Sequence, residues 1–252
     1  MQAGIAETSL LRLALAVSAL LLPVAPLLAD EAVQGAKITL RMPGGAIRAD
    51  VFEQPAQRKR PVILVLHGAG GMLLDGPEMR RMARQLAAAG NSAYLVHYFD
   101  RTRTLVARDA TMQRHFAEWS QTVRDSILAI QTLRGADAPV GLYGYSLGGF
   151  LALSAASDNP GVGAVAEHAG GVWNSKMERI GKMPAVLMVH GERDARVPFT
   201  KYAKPLLPVL QKRAAAVETR FFAGEGHGFT PPALVEVRAA VANFFRRRLS
   251  AR

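Results

Sequence analysis

The chain contains no cysteine. Disulfides, thiolate metal ligands, a thiol nucleophile and a lipid-bearing cysteine are therefore excluded. An exported chain can manage without disulfides when its core is large. Phosphate-cradling glycine loops are missing as well. There is no P-loop and no Gly-x-Gly-x-x-Gly at a strand-to-helix turn, so no nucleotide or other cofactor is implied. Long polar or low-complexity tracts are absent, and charged residues make up only 20% of the chain, which argues against extended disorder. A nucleic-acid footprint is lacking too. The net charge is +11, from 31 Lys and Arg against 20 Asp and Glu. The basic residues are nevertheless scattered, with small clusters at 58–60, 80–81 and 246–248 and no interleaved aromatics. They read as a solvated basic surface, and no nucleic-acid partner is expected.

What is present is apolar residue in quantity. Half of the 252 residues are hydrophobic, enough for one large α/β domain over residues 30–252. Residues 1–29 stand apart. Leu10 to Leu28 is almost wholly apolar, and Leu27-Leu28-Ala29 precedes Asp30-Glu31. This reads as a secretory signal peptide cleaved near Ala29, placing the rest of the chain in the periplasm or outside the cell with no stable membrane insertion. Left uncleaved, the same run would be a membrane anchor.

Beyond the leader, buried strands alternate with helices. Lys37–Arg41 and Ile47–Phe52 flank a Pro43-Gly44-Gly45 turn, a hairpin signal. The run Pro61 to Leu66 (PVILVL) reads as a central strand buried on both faces. Further strands are expected at 92–96, 139–143, 162–167, 185–189 and 217–222. Helices are expected at 77–89, 112–134, 150–157, from Thr200 with Pro205 and Pro208 breaking or delaying it, and at 232–249. The alternation predicts a mainly parallel sheet with helices on both faces, preceded by a hairpin. The loops 100–110 and 170–182 are left over, and the second is a candidate cover for a site.

In an open parallel sheet, reactive groups collect at the C-terminal ends of strands. Four such ends carry suggestive residues. The strand ending at Leu66 is followed by His67-Gly68-Ala69-Gly70-Gly71. The strand ending at Tyr143 runs into Gly144-Tyr145-Ser146-Leu147-Gly148, a Gly-x-Ser-x-Gly at a strand-to-helix turn, which is the nucleophile elbow of α/β-hydrolases. The third end gives His190 to Pro198 (HGERDARVP), and the fourth Gly224 to Phe229 (GEGHGF). Singly, each residue is an ordinary turn, capping or hydrogen-bonding residue. Jointly, they give a nucleophile Ser146, an acid Asp194 and a base His227, in the chain order this fold requires. The N–H groups of Leu147 and Ala69 become the oxyanion donors. His67 and His190 read as loop braces, and His168 as a pocket residue. Convergence of His67, His190, Asp194 and His227 on a metal is the rival reading, but the serine triad explains the pattern more simply, and no metal is expected. Tyr98, Tyr145 and Trp173 are candidates for lining a substrate pocket, with core packing as the equal alternative for each. Arg101 and Arg103 read as residues of a solvated loop, with a substrate carboxylate as the alternative.

With HGAGG (67–71), GYSLGG (144–149), HGERDARVP (190–198) and GEGHGF (224–229), the chain resembles the dienelactone-hydrolase-like branch of the α/β-hydrolases over roughly residues 35 to 250. The resemblance implies an eight-stranded, mostly parallel sheet and cofactor-free hydrolysis of a small-molecule ester or lactone. It assigns the triad roles to Ser146, Asp194 and His227. Two departures stand out. The family's cysteine nucleophile is replaced by Ser146, and its acidic residue at the end of the first parallel strand is replaced by His67. A serine version resembles a general esterase or an acyl-peptide-type hydrolase. An acyltransferase using the same triad, a peptidase, and a non-catalytic binding protein on a hydrolase scaffold remain the alternatives.

Overall fold

The hydrophobic run of residues 62–66 decides the architecture. In the computed structural model, which describes residue 33 and residues 35–54, 60–135 and 140–249, Val62–Leu66 (β3) is buried along its whole length. Its residues feed two cores alternately. Val62, Leu64 and Leu66 face one, while Ile63 and Val65 face the other. A strand that is apolar on both faces needs helices on both sides. The leader at 1–29 lies outside the described residues.

The other strands are β1 (Gly35–Met42), β2 (Gly45–Phe52), β4 (Ser92–Val96), β5 (Val140–Tyr145), β6 (Val162–His168), β7 (Met183–Gly191) and β8 (Ala214–Phe222). They form one eight-stranded sheet in the order β1-β2-β4-β3-β5-β6-β7-β8. The β1–β2 hairpin and the β2–β4 pair are antiparallel, and every later pairing is parallel. The sheet is thus mixed rather than uniformly parallel, with the antiparallel part confined to the edge built by the hairpin.

The helices are α1 (Gly71–Leu74), α2 (Gly76–Ala88), α3 (Asp109–Arg134), α4 (Leu147–Ala156), α5 (Ala203–Arg213) and α6 (Pro231–Leu249). One face of the sheet carries α3, α4 and α5, and the other α2 and α6. In α3, Phe116, Trp119, Val123, Ile127 and Ile130 recur at three- and four-residue steps and are all buried. Gly135 ends that helix at φ +96°. In α5 the helix runs through both prolines. Pro205 falls in the first turn, where no intrahelical N–H bond is needed, and Pro208 is tolerated inside because Leu206 and Leu210 are buried on the sheet. Among the described residues, no helix is long and apolar enough to cross a membrane.

Candidate active site

The switch from β5 to α4 is a single residue, Ser146. Its backbone sits at φ 53°, ψ −119°, a conformation that costs an L-residue of order 1–3 kcal/mol and is held only by its surroundings. Those surroundings are two glycines pressed against backbone. A Cβ on Gly144 would lie 2.1 Å from the Gly148 carbonyl oxygen, and one on Gly148 would lie 2.3 Å from the Leu66 carbonyl oxygen of β3. The elbow is therefore clamped on itself and on the neighbouring strand, and only glycine fits at either position. The Ser146 N–H donates to the His168 carbonyl at the end of β6 (2.8 Å), tying the turn to the next strand as well. The serine itself is 8% exposed.

Three loops at strand ends converge here. His227 approaches Ser146 from the loop after β8, with Nε2 2.9 Å from the serine Oγ. Its Nδ1 lies 2.7 Å from Oδ2 of Asp194, which comes from the loop after β7. A carboxylate only accepts, so Nδ1–H donates to Asp194 and Nε2 is left to accept from the serine hydroxyl. Asp194 is held in turn. Its Oδ1 accepts from the backbone N–H of Arg196 (2.8 Å) and of Val197 (2.7 Å). Burial would raise its carboxyl, but the His227 hydrogen bond and the Val197 N–H outweigh this and hold it below the ordinary carboxylate range. The group is ionised at neutral pH.

The loop after β3 brings Ala69 to the same groove, beside Ser146 and Leu147. Leu147 is the first residue of α4, where backbone N–H groups have no partner within the helix. Among the described residues, neither the Leu147 N–H nor the Ala69 N–H has a backbone partner. The carbonyl of Ala69 accepts from Ala107 N–H (2.8 Å), which fixes the loop's orientation.

Two histidines expected as braces do brace. His67 contacts the Gly68 carbonyl through Nδ1 (2.8 Å), and burial lowers its imidazole to about 4. His190 is buried in the loop after β7, donates from Nε2 to the Val197 carbonyl (2.8 Å), and is also pushed down by burial. Among the described residues, no group of three or more His, Asp or Glu could hold a metal ion.

The expected pocket residues separate. Trp173 lines the groove in front of Ser146, in ring contact with Phe116 and Phe150. Tyr145 faces away, to a second cavity, with its hydroxyl donating to the His227 carbonyl (3.2 Å). Tyr98 is a correction. It is fully buried, stacks on His67 at 4.2 Å and donates to the His67 carbonyl (2.7 Å). It supports the Ala69 loop from beneath and does not reach the groove. Arg101 is corrected too. Rather than standing in solvent, it ion-pairs with Asp125 (2.9 Å) and donates to the Pro43 carbonyl (2.5 Å), pinning the hairpin to α3.

Sequence reasoning missed the rest of the groove, a cavity of about 340 Å³. Arg196 and Asp109 form an ion pair at its rim, and Lys201, Tyr202, Met112 and Gln113 complete the walls. Arg196 lies two residues after Asp194, so the HGERDARVP motif held a signal. The residues from α3 gave none, because nothing in sequence places the start of that helix against the elbow.

Glu167 was also missed. It is the penultimate residue of β6 and fully buried, with Oε2 accepting from Gly170 N–H (2.9 Å) and Oε1 without a partner. Burial raises its carboxyl from 4.5 to about 8. Between these values the unfolded chain releases a proton that the folded chain keeps, so stability falls as pH rises from about 4.5 to about 8. Glu167→Gln keeps an acceptor for Gly170 and removes the titration. The variant's advantage over the unmodified protein in urea unfolding should grow between pH 5 and pH 9, on the order of a few kcal/mol. Parallel stability curves for the two proteins across that window would count against a proton held at Glu167.

A parallel-centred sheet with helices on both faces and a strained serine turn at a central strand end define an α/β hydrolase. The chain belongs to the dienelactone hydrolase family, whose model it matches over residues 47–250. Its fold is shared with a dienelactone hydrolase from Anabaena variabilis, at 20% identity and a TM-score of 0.72, covering 86% of this chain and 99% of that one. A lidless α/β serine hydrolase from Xanthomonas campestris aligns at 20% identity and a TM-score of 0.69, over 87% of this chain and 97% of that one. An acylaminoacyl peptidase from Pyrococcus horikoshii aligns at 17% identity and 0.67, over 87% of this chain but only 42% of its own length. No curated protein matches the chain.

Proposed function

We propose that the protein is a serine hydrolase of carboxylic esters or lactones, working through an acyl-enzyme with Ser146, His227 and Asp194 as its triad. The observation that carries this reading is the unbroken chain of hydrogen bonds from Asp194 through His227 to Ser146 Oγ, at 2.7 and 2.9 Å. In the first half-reaction His227 Nε2 takes the hydroxyl proton while Ser146 Oγ bonds to the carbonyl carbon. The N–H groups of Leu147 and Ala69 stabilise the oxyanion, and Asp194 stabilises the imidazolium. The carbon–oxygen bond to the leaving group then breaks, and the proton on Nε2 passes to the departing alcohol. In the second half-reaction water gives its proton to His227, attacks the acyl carbon and releases the acid, with the proton returning to Ser146.

A groove of about 340 Å³ suits a small ester, with Trp173 and Phe150 against its apolar part. The hydrolase family supports the chemistry; the ester or lactone class rests on the serine and its partners. We further read residues 1–29 as an export leader, which puts the enzyme outside the cytoplasm.

The test is covalent labelling by a fluorophosphonate together with a panel of p-nitrophenyl esters. One mole of label per mole of protein, mapped to residue 146, and turnover of short-chain esters are expected. A protein that neither labels nor turns over any ester would instead be a binding protein on this scaffold.

A further inference from the structure

The elbow has a second cavity at its back. It measures about 190 Å³ and lies on the α2 and α6 side of the sheet, opposite the groove that holds Ser146. Its walls include Met79, Tyr143, Tyr145, Phe229 and Leu234, together with His168, Asp75 and Glu78, the last ion-paired with Arg81 and Arg238. An engineered apolar cavity of about 150 Å³ accepts benzene, so this space admits one ring with a small substituent.

One of these groups brings an unused hydrogen-bonding atom. His168 is 2% exposed, and its Nε2 has no partner. Its Nδ1 lies 3.0 Å from the Tyr143 hydroxyl. Burial lowers this imidazole to about 3, so it is neutral. The phenol of Tyr143 has one hydrogen, and giving it to Nδ1 leaves the ring proton on Nε2 as a donor. Asp75 is not a second such group: burial raises its carboxyl, and the Gly70 and Gly68 backbone N–H groups against which it lies oppose this. A buried donor left without an acceptor costs on the order of 1–3 kcal/mol. Its place on the wall of an aromatic-lined space describes a binding site rather than a packing defect.

We infer that this cavity binds a small phenol or aromatic alcohol. Its ring packs among Phe229, Tyr143 and Tyr145, and its oxygen accepts from His168 Nε2–H. The site is coupled to the triad without being part of it. The Tyr145 ring lies 5.5 Å from that of His227, its hydroxyl holds the His227 carbonyl, and Gly228 and Phe229 continue the histidine's loop into the cavity wall. A ligand here bears on the placement of His227 from behind.

Binding of phenol and of toluene to the unmodified protein separates this from hydrophobic filling, because the two have nearly the same size and differ in the hydroxyl. Neither is an ester, so the result stands apart from whether Ser146 is a nucleophile. Amide chemical-shift titration should give phenol a Kd of about 1 mM or tighter. It should favour phenol over toluene roughly tenfold, as one buried hydrogen bond predicts. The shifts should cluster at residues 75–79 and 228–234. Leu234→Trp, which fills the space from α6, should abolish phenol binding while leaving the thermal melt in place. Should that variant fail to fold, the phenol-to-toluene ratio and the shift map decide alone. Equal or tighter binding of toluene, shifts centred on Met112 and Lys201 in the front groove, or no phenol binding at all would each overturn the inference.

Discussion

Ser146→Ala should abolish ester turnover, lowering kcat by a factor on the order of 10⁵–10⁶, while the melting temperature stays within a degree or two. Both halves follow from the elbow. In the proposed mechanism the Ser146 hydroxyl is the attacking group, and nothing else in the groove replaces it. The fold's debt to residue 146 is owed to its backbone: a φ of 53° and an N–H donated to His168, which alanine reproduces. Turnover of p-nitrophenyl acetate and fluorophosphonate labelling are measured on the same preparation as the melt. A variant that stays folded and still hydrolyses the ester at the original rate would remove Ser146 from the chemistry.

The second large effect is expected from Asp194→Asn, a loss of about 10⁴ in kcat with little change in KM. The reason is geometric. Asp194 Oδ1 is fixed by two backbone donors, Arg196 N–H and Val197 N–H. In asparagine only the carbonyl oxygen satisfies them, so the amide nitrogen must point at His227. Nδ1 then has to accept, the ring proton moves to Nε2, and the nitrogen facing Ser146 can no longer take its proton. The loss should be visible as a change in tautomer by nitrogen NMR of His227, with the backbone undisturbed. A variant that retains most of its kcat would mean that the histidine is oriented by something other than this carboxylate.

Much of this was legible from residues alone, because the relevant signals are local. PVILVL is apolar at every position, and that pattern belongs to a strand covered on both faces. The strand-to-helix glycines of 144–149 report a turn whose tightness excludes a Cβ, and the contacts at Gly144 and Gly148 give the cause. The order serine, acid, histidine along the chain reports strand ends. What stayed hidden depends on which way a side chain turns. Tyr98 and Trp173 are both aromatics in loops near strand ends, yet one is buried under the Ala69 loop and the other lines the groove. Nothing at either position distinguishes them before the sheet twist and helix packing are known. Asp75 and Glu167 carry no motif at all, and their interest arises only from burial. Pro208 misled in the opposite direction, since a local helix-breaking preference yields to the apolar face that α5 lays on the sheet.

The clamp that holds the elbow has an implication for how the enzyme can be redesigned. Gly148 is pressed on the carbonyl of Leu66, so Ser146, the start of α4 and the central strand form one rigid block with no slack for mutation. Trp173, Lys201 and Tyr202 sit on segments outside that block, where side chains can be exchanged without moving Ser146 Oγ. Libraries aimed at new acyl groups should therefore randomise residues 172–173 and 201–202 and leave 144–149 untouched. In this scaffold, substrate preference and chemical competence can be altered separately.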